Sequence, residues 1–209
     1  TMGDSNADYL VPMSNGKMLF RVDDGTVPSH RNLWFSDGTL AGTRAITSSY
    51  VGANVSGAWS ASPEYIQYLP STGKAYFRGW DITNGYELWT TDGTVLGTQM
   101  LKDINTNGDS IPDSMTVVGD KILMRAFDGS HGQEPWISDG TAAGTIALGD
   151  LNTVGASSDP SGMTKTTNRM FFSADDWNHG RELWVKDANG TRMVADKGLN
   201  GYGYIDYIT

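Results

Sequence analysis

Cysteine is absent from this chain of 209 residues. Disulfides, thiolate zinc sites and cysteine nucleophiles are therefore excluded. Long apolar runs are missing as well: nothing approaches the roughly 20 residues a membrane-spanning helix needs, and no basic-apolar leader is visible. Because the chain reads as a processed or excised piece, the missing leader says little about its address. Glutamate is scarce, with four residues beside twenty aspartates. Lysine and leucine are thin too, so the usual helix builders are under-represented. Positive charge is in deficit, and the net charge of −9 argues against a nucleic-acid partner, whose phosphates an acidic surface repels.

Glycine and aromatic residues are plentiful instead: 26 Gly, seven Trp, nine Tyr and six Phe. That mixture predicts many short strands, tight turns and an aromatic core. Most aspartates stand beside Gly, Thr, Ser or Asn, where a carboxylate caps a turn by accepting from nearby backbone N–H groups. Calcium ligation is the second use such residues allow.

The chain repeats itself. "NLWFSDGTLAGT" (32–43), "ELWTTDGTVLGT" (87–98) and "EPWISDGTAAGT" (134–145) are near copies, and "ELWVKDANGT" (182–191) is a degraded fourth. Their tryptophans, Trp34, Trp89, Trp136 and Trp184, are 55, 47 and 48 residues apart. A basic residue opening a strand-like run, Lys17, Lys74, Lys121 or Arg169, precedes each tryptophan by 15 to 17 residues. Each unit reads as strand, turn, strand, turn, tryptophan strand, Asp-Gly-Thr turn, strand and loop. Four short strands in about 48 residues is the period of a β-propeller blade. The predicted fold is therefore all-β and propeller-like, with four four-stranded antiparallel blades over 8–50, 64–105, 114–152 and 162–198. Residues 199–209 echo "EYIQYLP" (64–70) and read as an extra strand, closing the ring or starting a further blade. A solenoid or a row of small sandwiches has the same strand count.

A blade cannot bury both its faces alone, so neighbours must stack. The recurring tryptophan is expected to fill the space between blades. In the turn, Asp37, Asp92 and Asp139 are expected to accept from the turn backbone, and the following Gly supplies the positive φ a tight hairpin needs. The fourth copy, with "DANGT", should have a shortened hairpin. Glu87, Glu134 and Glu182 stand two residues before their tryptophans. The expected role is acceptance of N–H bonds from a neighbouring turn or pairing with a second-strand arginine such as Arg78 or Arg125. A carboxylate ring around a channel is the functional alternative.

These motifs resemble the ELWxxDGT repeat family of large bacterial secreted and surface proteins, through Glu87-Leu88-Trp89, Asp92-Gly93-Thr94, Gly97-Thr98 and "LKDIN" at 101–105. Pro135 replaces Leu in the third copy and Asn32 replaces Glu in the first. The resemblance covers Lys17 to Asp196. It implies a propeller-forming, non-catalytic module with an extracellular or cell-surface address.

Three further sets are candidates for chemistry. In "DINTNGDSIPDS" (103–114), Asp103, Asn105, Asn107 and Gly108 match the opening positions of a calcium loop, with Asp109 as a substitute ligand. Ser114 stands where the bidentate Glu belongs, and no helices flank the loop, so a plain Asx-rich turn is the competing reading. His131 and His179 fall five residues before their tryptophans, Asn84 holds the same slot, and His30 lies nearby; turn chemistry is expected, with neither a metal nor a Ser-His-Asp triad supported. Trp59, Trp80 and Trp177, with Asp176, break the repeat and are the expected ligand contacts, since an aromatic face beside a polar group suits a sugar. The expected function is a non-catalytic adhesion or binding module for a glycan or partner protein. The alternatives are a structural spacer that pairs with further repeats or other chains through terminal strands and, more weakly, a propeller hydrolase.

Overall fold

The computed structural model describes residues 6–23, 31–47 and 63–196. His30, Trp59, most of the 48–64 insertion and the 199–209 segment lie outside the described residues. Within them the chain forms four separate antiparallel sheets. The first is β1 (Ala7–Pro12), β2 (Met18–Asp23), β3 (Arg31–Ser36) and β4 (Arg44–Ala45); the second is β5 (Glu64–Leu69), β6 (Lys74–Asp81), β7 (Gly85–Thr91) and β8 (Gln99–Lys102). The third is β9 (Asp113–Val118), β10 (Lys121–Phe127), β11 (Gln133–Ser138) and β12 (Ile146–Ala147). The fourth is β13 (Ser161–Lys165), β14 (Met170–Asp175), β15 (Arg181–Asp187) and β16 (Gly190–Ala195). In every sheet the strands lie in chain order. The all-β, propeller-like reading of the sequence holds.

Sheets pack in sequence, first on second, second on third and third on fourth, with the first strands β1, β5, β9 and β13 side by side. No comparable interface joins the fourth sheet to the first among the described residues. Tryptophan sits in each interface. Trp89 packs with Leu19, Leu33 and Phe35 of the first sheet; Trp136 packs with Tyr76 and Leu88 of the second; Trp184 packs near Leu151, which leaves the third. All three are buried, as an inter-sheet wedge must be. Trp34 is only half-buried and tilts against Phe20 at 6.4 Å between ring centroids.

The Asp-Gly-Thr turn is built alike three times. Asp92 Oδ1 accepts from both the backbone N–H and the hydroxyl of Thr94, at 2.9 and 2.6 Å, and Thr94 Oγ1 accepts from Gly97 N–H. Asp37 with Thr39 and Asp139 with Thr141 repeat these bonds. A methyl group on Gly97 would land 2.1 Å from the Asp92 carboxylate, which explains the second glycine of the phrase. In the fourth sheet Asp187 pairs directly with Gly190, leaving a two-residue loop, so the hairpin is shortened as its sequence implies.

Candidate functional site

The inner edge of the array carries a row of ion pairs that sequence reading missed. Asp8 accepts from Arg21 at 2.7 Å through both carboxylate oxygens and also takes Arg31. Glu64 pairs with Arg78, and Asp113 with Arg125, in the matching places of the next two sheets. Two arginines also reach onward: Arg21 lies 3.6 Å from Glu64 of the second sheet, and Arg125 lies 3.7 Å from Asp159 ahead of the fourth. In the fourth sheet the pair becomes Ser161 and Ser173, joined at 2.9 Å, with Arg181 donating to both.

A bulge in each first strand makes this geometry. Tyr9, Tyr65, Ser114 and Gly162, each one residue after the paired position, have φ of 50°, 55°, 51° and 61°. The ladder register shifts at the same place in all four sheets. An extra left-handed residue turns the strand so that the acid faces the second-strand arginine. Each non-glycine residue there costs on the order of 1 kcal/mol. Tyr9 stacks on Arg21 at 4.4 Å and Tyr65 on Arg78 at 5.0 Å, shielding the guanidinium faces. Hydrogen bonding from Arg21 holds the Asp8 carboxyl below its ordinary range. An acid held ionised by an arginine positions charge; it is a poor proton donor.

These arginines are accordingly not the partners of the tryptophan-strand glutamates. Glu87 is fully buried and takes backbone N–H bonds from Ile104 and Ser110 at 2.7 and 3.0 Å, and the Ser110 hydroxyl at 2.6 Å. Glu134 does the same with Leu151 and Ser158. The loops leaving the second and third sheets are thereby clasped back onto their third strands, which needs a side chain longer than Asp. The carboxylate-ring alternative fails, because Glu87, Glu134 and Glu182 are all buried. Burial pushes Glu87 up to about 7, and raises Glu134, against the hydrogen bonds that pull the other way. Such a value suits acid–base work, but a carboxyl enclosed by its own loop meets no substrate.

The turns between second and third strands hold Asp–His pairs. His131 Nδ1 lies 2.7 Å from Asp128, His179 Nδ1 lies 2.7 Å from Asp176, and Asn84 donates to Asp81 in the equivalent place. Hydrogen bonds that the ring N–H groups donate to the paired aspartates raise both histidines. Their repetition, with Asn able to substitute, marks turn closure.

The expected ligand contacts fare differently. Asp176 is committed to its turn, accepting from the N–H groups of Asn178 and His179. Trp177 is 69% exposed with φ of 72°, Trp80 is half-buried at the end of β6, and Trp59 is outside the described residues. Trp80 stands at the end of a strand of the second sheet, whereas Trp177 lies beside Asp176 in a turn of the fourth, so the two tryptophans stand on different sheets.

The side chains of the expected calcium loop are likewise engaged. Asn105 Oδ1 accepts from Asn107 N–H, its amide donates to the Asp109 carbonyl, and Asp109 Oδ1 accepts from Tyr86 N–H. Asp103 Oδ1 is buried without a hydrogen-bond partner among the described residues, one oxygen where calcium takes six to eight. Among the described residues no group of three or more His, Cys, Asp or Glu side chains could hold a metal.

One cleft of about 230 Å³ opens between the third and fourth sheets, beside Lys121, Lys165, Arg169 and Lys186. The shortened fourth hairpin accounts for it. In the second and third sheets the long turn lies over the preceding sheet, its Gly93 against Phe35 and its Gly140 against Tyr76. The two-residue turn of the fourth sheet cannot cover the third in that way.

No family model matches the chain. No curated protein matches it either. Solved structures do. Puromycin hydrolase matches with a TM-score of 0.58 and 13% identity over 88% of this chain, and its S511A mutant complexed with PGG with 0.56 and 13% over 91%. This chain covers 28% of the length of each. A putative exo-beta-1,3-galactanase from Bifidobacterium bifidum s17 matches at 0.42 and 11%, over 90% of this chain and 70% of its own. These are propeller-type proteins, and the likeness is one of fold. They also overturn the expected function. The structures named here are those of enzymes, where a non-catalytic adhesion module or spacer was the expectation.

Proposed function

We propose that this chain works within a hydrolytic enzyme, where its four sheets supply part of a propeller scaffold. The supporting observation is the overlap with puromycin hydrolase, which takes in most of this chain and little more than a quarter of that one. Groups that would transfer protons or attack a substrate are not assembled among the described residues. The chain's own contribution is a rigid inner wall, where Arg21, Arg78 and Arg125 are fixed by Asp8, Glu64 and Asp113 and present ordered charge toward the side on which the first strands meet. Fixed charge of this kind orients a polar substrate and costs no reorganisation when it binds. An extracellular or cell-surface address belongs to the same reading.

The test is hydrolysis by the protein in its longest native form, assayed with aminoacyl and peptidyl nitroanilides and with aryl arabinofuranosides, on culture medium and cell fractions separately. Turnover of one class, lost when residues 1–209 are deleted, is the expected result. A full-length protein that hydrolyses none of them contradicts the reading.

A further inference from the structure

The cleft between the third and fourth sheets has the opposite charge balance from the rest of the molecule. The chain carries 24 acidic and 15 basic side chains. Four bases and two acids line this cleft: Lys121, Lys165, Arg169 and Lys186 beside Asp120 and Asp187. One of the two acids is already taken. Asp187 accepts from Arg192 through both carboxylate oxygens at 2.8 Å, and Arg169 stands at 3.7 Å. Asp120 is exposed on its turn. Among the described residues no carboxylate forms an ion pair with Lys121, Lys165 or Lys186.

Two of the four cations belong to the repeat and two do not. Lys121 and Arg169 stand at the start of their second strands, as Lys17 and Lys74 do. Lys165 holds the first-strand place of Tyr68 and Val117, opposite the residue that follows that base. Lys186 stands two residues after its tryptophan, where Ser36, Thr91 and Ser138 each bond the closing threonine of the long turn at 2.7 Å. The fourth sheet lacks that turn, and a lysine replaces the hydroxyl that fastens it elsewhere. Its Nζ donates to the Asp187 carbonyl at 2.7 Å. Lys165 reaches across to the third sheet, where a methyl group on Gly119 would land 2.2 Å from its Nζ. So the one interface that loses its covering turn gains two lysines the repeat does not require.

We propose that this cleft binds a compact tetrahedral oxyanion, a phosphate or sulfate group that is free or carried on a small molecule. Like charges converging on a cleft repel one another, and an anion relieves that repulsion where a neutral ligand does not. Lysine ammonium groups hold such anions as point charges with freely turning donors. At about 230 Å³ the cleft is smaller than pockets that enclose a drug-sized ligand, so the anionic end is the part it takes. Val118 and Met170 supply an apolar wall beside it. Both sheets that form the site are in hand, and the proposal does not depend on the hydrolase reading.

Isothermal titration calorimetry of the full-length protein with inorganic phosphate and with inorganic sulfate, at low ionic strength, tests it; circular dichroism checks the fold of each variant. Saturable binding with a Kd below about 1 mM is expected for at least one of the two, and a preference between them names the group. Lys186→Ser, which restores the residue type of the other sheets, and Lys165→Gln should each weaken binding at least about tenfold, the loss of a charged hydrogen bond. Asp120→Asn should strengthen it. Lys17→Gln removes the same charge from the first sheet, outside the cleft, and should leave affinity unchanged. Titrations that do not saturate by about 10 mM of either anion would overturn the proposal. So would a loss on Lys17→Gln equal to that on Lys186→Ser, because it marks attraction to charge anywhere on the surface. Neither result bears on turnover of the nitroanilides and arabinofuranosides.

Discussion

The hydroxyl of Ser110 donates to the Glu87 carboxylate at 2.6 Å, inside a clasp that also takes the Ser110 and Ile104 N–H groups. With burial moving Glu87 from 4.5 to about 7, the folded state holds this proton more tightly than the unfolded one between those values. Stability should therefore fall as pH rises from about 4.5 to about 7, then level off as far as this group is concerned. Glu87→Gln, compared with wild type in urea titrations at several pH values, should flatten that slope. An unchanged slope would mean that Glu87 is ionised throughout.

Gly97→Ala places a methyl group against the Asp92 carboxylate and forces it off Thr94. The expected cost is about 1–2 kcal/mol, that of lost charge-assisted hydrogen bonds in a turn. Asp92→Ala in the same background should add little, because both changes remove the same bonds. Additive losses in the urea midpoint would separate the two residues.

Calcium should leave the protein unmoved. The Asn105 side chain already bonds within its loop and the Asp109 carboxylate already accepts from Tyr86 N–H, so the melting temperature should be equal in chelator and in millimolar calcium. A rise with calcium that disappears in Asp103→Ala would establish a site there.

The parts of the fold legible in the sequence are those each copy repeats locally. Trp89, Asp92, Gly93 and Thr94 stand within six residues, and the Asp92–Thr94 bonds stay within the turn, so spacing alone discloses them. The inner ion pairs span 13, 14 and 12 residues, Asp8 to Arg21, Glu64 to Arg78 and Asp113 to Arg125. The recurring offset of an acid before a second-strand arginine was the available signal. Simple alternation hid it, because the bulges at Tyr9, Tyr65 and Ser114 break the period of two. Of the two roles the sequence allows Glu87, the acceptance of turn N–H groups is the one it has, since the bulge gives Arg78 to Glu64. Function was less legible still. Trp177 departs from the repeat as a ligand contact would, yet Asp176 beside it is occupied in closing its own turn.

The stacking role of the recurring tryptophan is tested most directly by urea denaturation of Trp136→Ala beside Trp34→Ala. Trp136 is enclosed between the second and third sheets, so its loss should cost about 3–5 kcal/mol. Trp34 is only half-buried, with no sheet packed on that side among the described residues, and should cost less than about 2 kcal/mol. Equal losses, or a Trp136→Ala protein as stable as wild type, would contradict the account.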